Sequence, residues 1–90
     1  MAVIWDPRKV KANVAKHGVR LSDAEGVLFD PNALTREDLR AQAEQRFISV
    51  GTDGLGRVLV VVYAYHGDDV RLISARHATR KERADYEEGI

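Results

Sequence analysis

The sequence predicts a small α+β domain in which two N-terminal helices and one C-terminal helix pack against an antiparallel sheet. Three observations carry this. The patterns run strand, helix, helix, then three hairpin-linked strands and a helix, an order that lays helices on a meander instead of alternating them with parallel strands. Val58–Tyr65 is apolar without a break and rich in β-branched residues, as a central strand covered on both faces requires. Ninety residues, 44% apolar and 31% charged, suffice for one modest core that buries roughly 60–65% of the unfolded chain's surface, so residues 1–90 are expected to form a single domain.

Each element has its own signal. Ala2–Trp5 is a short apolar run that suits an opening strand. Asp6-Pro7 then starts a helix, with Asp6 capping the free amides and Pro7 at the first helical position. Val10 and Val14, four apart, are expected on its buried face, with Arg8, Lys9, Lys11 and Lys16 outward. His17-Gly18 ends it, since Gly18 accepts the left-handed conformation. Ser22 and Glu25 have capping-box spacing before the apolar stripe Ala24, Val27 and Leu28, and Asp30-Pro31 stops this second helix. The polar stretch 35–45 is compatible with a short strand, a helical turn or a loop, because periodicity does not choose. Arg46–Val50 reads as a strand, Gly51–Gly56 as a turn, Val58–Tyr65 as the central strand, and Val70–Ala75 as the third strand of the meander. Thr79 and Glu82 form a second capping-box pattern, opening a polar helix over 80–88. On this plan the first helix, the end of the last strand and the final helix share one side of the sheet.

Composition excludes several classes of function. The chain has no cysteine, which removes disulfides, thiolate metal sites and thiol nucleophiles together. His17, His66 and His77 have no ligand spacing, so neither a metal nor another cofactor is expected. The longest apolar run is far shorter than a bilayer span, and no secretory signal opens the chain; a soluble, cytoplasmic protein without membrane contact is expected. Gly51, Gly54 and Gly56 fall between two strands, whereas a phosphate-cradling loop must lead into a helix.

Fourteen basic and fourteen acidic residues cancel, but they are unevenly placed. Residues 1–20 hold five basic residues against Asp6, residues 21–56 three basic against seven acidic, and residues 71–83 five basic against Glu82. Two basic segments therefore flank an acidic middle. If the fold joins them they make a cationic patch for phosphates; if not, they are solvated faces.

The segment Arg71–Arg83 carries the most chemistry. Arg76 is expected at a strand end, His77 and Ala78 in the junction, and Arg80 and Arg83 on one face of the helix that follows. Cations gathered at a helix N-terminus favour an anion. Cleavage of RNA through its own 2′-hydroxyl needs a proton acceptor, a proton donor and cations around the charged phosphorane. His77 suits the proton transfers, Arg76, Arg80 and Arg83 the charge, and Tyr86 a base or phosphate contact. The competing account makes His77 a junction residue and pairs Arg80 with carboxylates on its own helix. The same basic face also fits a non-catalytic module that binds a partner protein or a nucleic acid.

Trp5-Asp6-Pro7 with Lys9 and Asn13, Lys16-His17-Gly18-Val19, Phe29-Asp30-Pro31, the segment from Glu44 and Arg46 to Gly51, and Ile73–Arg76 with Ala78, Thr79, Glu82, Arg83 and Tyr86 together resemble the BrnT family of type II toxins. The resemblance runs from end to end, and its weight lies in the order and spacing of motifs that are individually weak. It implies a RelE-like α+β fold and a ribonuclease that cuts RNA without a metal cofactor and so arrests translation. It implies neutralisation by a BrnA-like antitoxin, through which alone the complex would reach operator DNA. The positions that match the family's functional set are Lys16, His17, Arg76, Thr79, Arg83 and Tyr86. These positions other than Thr79, together with His77, Arg80 and Lys9, make up the candidate catalytic group Arg76, His77, Arg80, Arg83 and Tyr86 and the RNA-binding group Lys9, Lys16 and His17. His77 stands where relatives often carry another basic residue, which implies charge stabilisation as the shared role there.

Overall fold

The computed structural model describes residues 1–89. In chain order the elements are β1 (Val3–Ile4), α1 (Pro7–His17), α2 (Leu21–Ala24), a 3-10 turn (Glu25–Phe29), β2 (Leu34–Glu37), β3 (Phe47–Thr52), β4 (Val58–His66), β5 (Asp69–His77) and α3 (Arg80–Glu88). The strands form one sheet in the order β1-β5-β4-β3-β2. β2 to β5 are antiparallel, and β4 is interior as its apolar run requires. β1 departs from the expected antiparallel plan. It adds to β5 in parallel through Val3 opposite Val70 and Ile4 opposite Arg71, a pairing between the two ends of the chain that local sequence does not specify.

The caps of α1 form as expected. The Asp6 carboxylate accepts the Arg8 N–H at 2.9 Å, and Gly18, at φ 71°, donates its N–H to the Val14 carbonyl. The buried face is a different matter. Val10 packs against the core, but Val14 is 42% exposed, and the residue of α1 that is buried is the polar Asn13.

The Ser22–Glu25 capping box does not form. The helix begins two residues earlier, with Arg20 at its N-cap and no side-chain cap, because Val19, Leu21, Ala24 and Val27 are all withdrawn from solvent and their burial sets the helical phase. Glu25 opens a 3-10 turn instead. Gly26 is needed there: a Cβ at this position would come within 2.9 Å of the Gly54 backbone nitrogen.

The open stretch 35–45 contributes β2, which pairs Leu34 with Val50 and Glu37 with Phe47. Its side chains are mostly exposed, so its strand state comes from backbone pairing to β3 and leaves no apolar period to read.

β5 is longer than expected and carries Arg76 and His77 within the strand. Between Val62 and Tyr63 the β4–β5 register shifts, so that Ile73 is an extra residue in β5. This bulge lets Leu72 and Ala75, three residues apart, face the same core. That core joins Leu59, Val61, Tyr63, Leu72 and Ala75 of the sheet to Val19, Leu21, Ala24 and Val27. The opposite face holds Val58, Val60 and Ala64, and α3 crosses it, joined through Arg76–Glu82 and Thr52–Tyr86. The final helix therefore lies on the face opposite α2 and the 3-10 turn, not on a side shared by all the helices. The alternation along β5 decides this, since Ala75 points into the first core and Arg76 away from it.

Candidate active site at the start of the final helix

The group built around the β5–α3 junction has one fixed member and several free ones. Arg76 projects from β5 onto α3 and forms a two-pronged pair with Glu82, Nη1 to Oε1 at 2.8 Å and Nη2 to Oε2 at 2.9 Å. Its Nη1 also donates to the His77 carbonyl at 3.2 Å. Glu82 is at the same time the third residue of α3 and completes the capping box that the sequence predicts: its Oε1 accepts the Thr79 N–H at 2.8 Å, and its own N–H donates to Thr79 Oγ1. One carboxylate thus starts the helix and aims the arginine. The Arg76 hydrogen bonds hold the Glu82 carboxyl down to about 2, against a lesser opposing effect of burial, and the Thr79 N–H adds to the lowering. Glu82 in turn raises Arg76.

His77 is the last residue of β5, exposed and in register with Leu59. Its side chain therefore starts from the sheet face opposite Arg76. Arg80 and Arg83 are exposed on the first turn of α3 and make no ion pair among the described residues; the pairing of Arg80 with carboxylates of its own helix, which the competing account requires, is absent there. Lys81 fills that part, reaching Asp85 at 3.5 Å.

Tyr86 is tied down. Its hydroxyl donates to Asp30 Oδ2 at 2.5 Å and accepts from Thr52 Oγ1 at 2.8 Å. Asp30 also accepts the N–H groups of Thr52 and Asn32. Burial would raise the Asp30 carboxyl, but the Tyr86 hydroxyl and the two amides outweigh it and leave Asp30 below its ordinary value. The same bond raises the Tyr86 hydroxyl. This hydroxyl clamps α3 to the end of the 3-10 turn and to β3. Of its partners, the Asx turn from Asp30 to Asn32 is readable from Asp-Pro-Asn; Thr52 and Tyr86 are too distant in sequence to be signalled.

The RNA-binding candidates lie apart from this group. Lys9 and Lys16 are exposed on α1 and His17 is half-buried at its end. α1 reaches β5 through Asn13, which holds the backbone of Ala75 immediately before Arg76. No side-chain hydrogen bond or ion pair joins α1 to α3 among the described residues. No group of three His, Cys, Asp or Glu residues that could hold a metal ion is present among the described residues either, and no helix among them is long and apolar enough to cross a membrane.

An α+β sheet protein with arginines and a histidine gathered where its last strand meets its last helix has the equipment of a small RNA-cleaving protein. The sequence places the chain more closely. Residues 5–82 match the family model described as the ribonuclease toxin, BrnT, of type II toxin–antitoxin systems. The match spans most of the chain, which therefore belongs to the BrnT family and is an endoribonuclease toxin of a type II toxin–antitoxin system. The fold agrees with that of the Brucella abortus ribonuclease toxin BrnT, whose crystal structure is similar at a TM-score of 0.69 and 28% identity, over 89% of this chain and 99% of that one. No curated protein sequence matches significantly.

Proposed function

We propose that the ribonuclease centre is the β5–α3 junction, with Arg76, His77, Arg80 and Arg83 acting on RNA without a metal ion. The observation that carries this is the contrast between one arginine locked by Glu82 and two further arginines and a histidine left free around the same helix start. A locked cation is preorganised for a phosphate, and preorganised charge is worth most where negative charge develops. Free cations beside it can close on a substrate.

The reaction is attack of a ribose 2′-oxygen on the adjacent phosphorus. The O2′–P bond forms and the P–O5′ bond breaks, leaving a 2′,3′-cyclic phosphate and a 5′-hydroxyl. His77 takes the 2′-hydroxyl proton or supplies one to the departing O5′, and Arg76, Arg80 and Arg83 hold the charge on the phosphorane. Tyr86 serves chiefly by fixing α3, because its hydroxyl is already engaged. Lys9, Lys16 and His17 sit on α1, apart from this centre, and hold the RNA backbone away from the scissile phosphate. The partner that silences the toxin is a BrnA-like antitoxin, operator DNA is bound only through that antitoxin, and the site of action is the cytoplasm.

The test is cleavage of RNA by purified antitoxin-free protein in excess chelator. Arg83→Ala and Arg80→Ala should each lower cleavage about 10²-fold while leaving the melting temperature nearly unchanged, since both side chains are exposed and make no ion pair among the described residues. Each should also flatten the salt dependence of RNA binding by about 0.7 in log–log slope, the release from one single-strand phosphate contact. Full activity in both variants would remove the junction as the catalytic centre.

A further inference from the structure

α3 covers only part of the sheet face that it crosses. Leu34 of β2, Val50 of β3, Val60 of β4 and Arg76 of β5 stand in register as one row across the sheet, and α3 meets that row at its Arg76 end through Glu82. Toward β2 helix and sheet part. They leave an open groove of about 600 Å³ with Leu34, Ile48 and Val50 in its floor and Glu82 and Asp85 in its wall. At Ala33 and Leu34 it meets a second hollow of about 560 Å³ beside Glu87 and Glu88.

The chemistry of this groove is unlike that of the junction. Its floor is apolar, and covering such surface removes it from water, which favours binding. Its helical wall is acidic. Glu87 and Glu88 are exposed and in no ion pair among the described residues, and Asp85 meets only the exposed Lys81. Arg36 is the sole cation among the described lining residues. Carboxylates along a wall repel phosphates, so RNA does not suit it.

The geometry points to this groove as the seat of the antitoxin, occupied by an amphipathic basic segment. Such a segment lays apolar side chains on Leu34, Ile48 and Val50 and turns lysine or arginine toward Asp85, Glu87 and Glu88. This deepens the toxin reading above and rests on it. Occupancy also reaches the cleavage centre, because Glu82 both lines the groove and holds Arg76. A cation of the bound segment beside Glu82 competes with Arg76 for the same carboxylate and loosens the arginine.

The experiment measures binding of the purified cognate antitoxin, and RNA cleavage with and without it, for wild type, Leu34→Glu, Asp85→Lys/Glu88→Lys and the control Phe29→Asp. Phe29 is 62% exposed on the 3-10 turn, away from the groove. Both groove variants should bind antitoxin at least tenfold more weakly and cleave RNA like wild type when alone. They should keep cleaving at antitoxin levels that silence wild type. The charge-reversed variant should also lose salt sensitivity of binding. Asp85 and Glu88 are surface residues, so this variant reports even if Leu34→Glu fails to fold. Wild-type silencing of the charge-reversed variant overturns the proposal, as does loss of binding in Phe29→Asp alone, a loss of RNA affinity in the groove variants, or a wild-type dimer that Leu34→Glu dissolves. A wild type that neither cleaves RNA nor binds the antitoxin overturns the toxin reading as well, which separates the two failures.

Discussion

Asn13 and Ala75 exchange two hydrogen bonds across 62 positions of sequence: Asn13 Nδ2 donates to the Ala75 carbonyl at 2.8 Å, and the Ala75 N–H donates to Asn13 Oδ1 at 3.1 Å. Nδ2 donates again to the Val19 carbonyl at 2.7 Å. The side-chain amide takes the place of a strand residue. β1 pairs with β5 only at Val70 and Arg71, and beyond it the open edge of β5 is closed by this one buried side chain, which also fixes the chain's exit from α1.

Asn13→Ala should therefore destabilise the protein by about 2–4 kcal/mol, because it leaves one N–H and two carbonyls unpaired in a buried place. Urea denaturation measures this. Asn13→Asp keeps the acceptor for Ala75 but loses both donations, so it should do no better. A loss below about 1 kcal/mol for Asn13→Ala would mean that water replaces the amide.

Acid should weaken the clasp of α3 through Glu82. Its carboxyl is held to about 2 in the folded chain against an ordinary 4.5, so the stabilisation is fully present above pH 4.5 and fades as pH falls toward 2. Glu82→Gln keeps an oxygen that can accept the Thr79 N–H but cannot pair as a charge with Arg76. Its stability should be lower at neutral pH by about 1 kcal/mol for this partly exposed pair, and less steep in pH between 4.5 and 2. Parallel slopes for the two proteins in pH-dependent urea melts would contradict the assignment.

Tyr86→Phe should cost about 1–2 kcal/mol, since it removes a hydroxyl bonded to both Asp30 and Thr52. The Asp30 carboxyl, deprived of one donor, should move up toward its ordinary value. Hydrogen exchange should show faster opening of α3 than in wild type. RNA cleavage well below the melting temperature should persist, which distinguishes Tyr86→Phe from Arg83→Ala.

Local sequence signals hold where the partners are close in sequence. Asp6-Pro7 and Gly18 delimit α1, Thr79 and Glu82 cap α3, and the unbroken run from Val58 makes β4 interior. In each case neighbouring residues satisfy the backbone or a long apolar stretch leaves one outcome. The failures share the opposite cause. Ser22 and Glu25 have capping spacing, yet the burial of Val19 and Leu21 moved the helix start. Val14 has the right period for burial, yet Asn13 holds the buried place because an open strand edge needed an amide.

The candidate site divides in the same way. Arg76, His77, Arg80 and Arg83 fall within eight residues, so their neighbourhood was determined by the sequence alone, as was the capping role of Glu82. Which face each side chain leaves from was not. The bulge at Ile73 sets the phase of β5, which sends Arg76 toward α3 and starts His77 from the other face, and bulges arise from pairing with β4. Glu82 as the partner of Arg76, Tyr86 as a clamp on Asp30, and the acidic groove beside β2 all join segments that only the folded sheet brings together. Sequence by itself determined the helix limits, the central strand and the basic character of the junction, because those depend on residues a few positions apart. The tertiary structure decided the side of the sheet on which α3 lies, and with it which charges are locked and which remain free, because hydrogen bonds and burial between distant segments outweigh local preference.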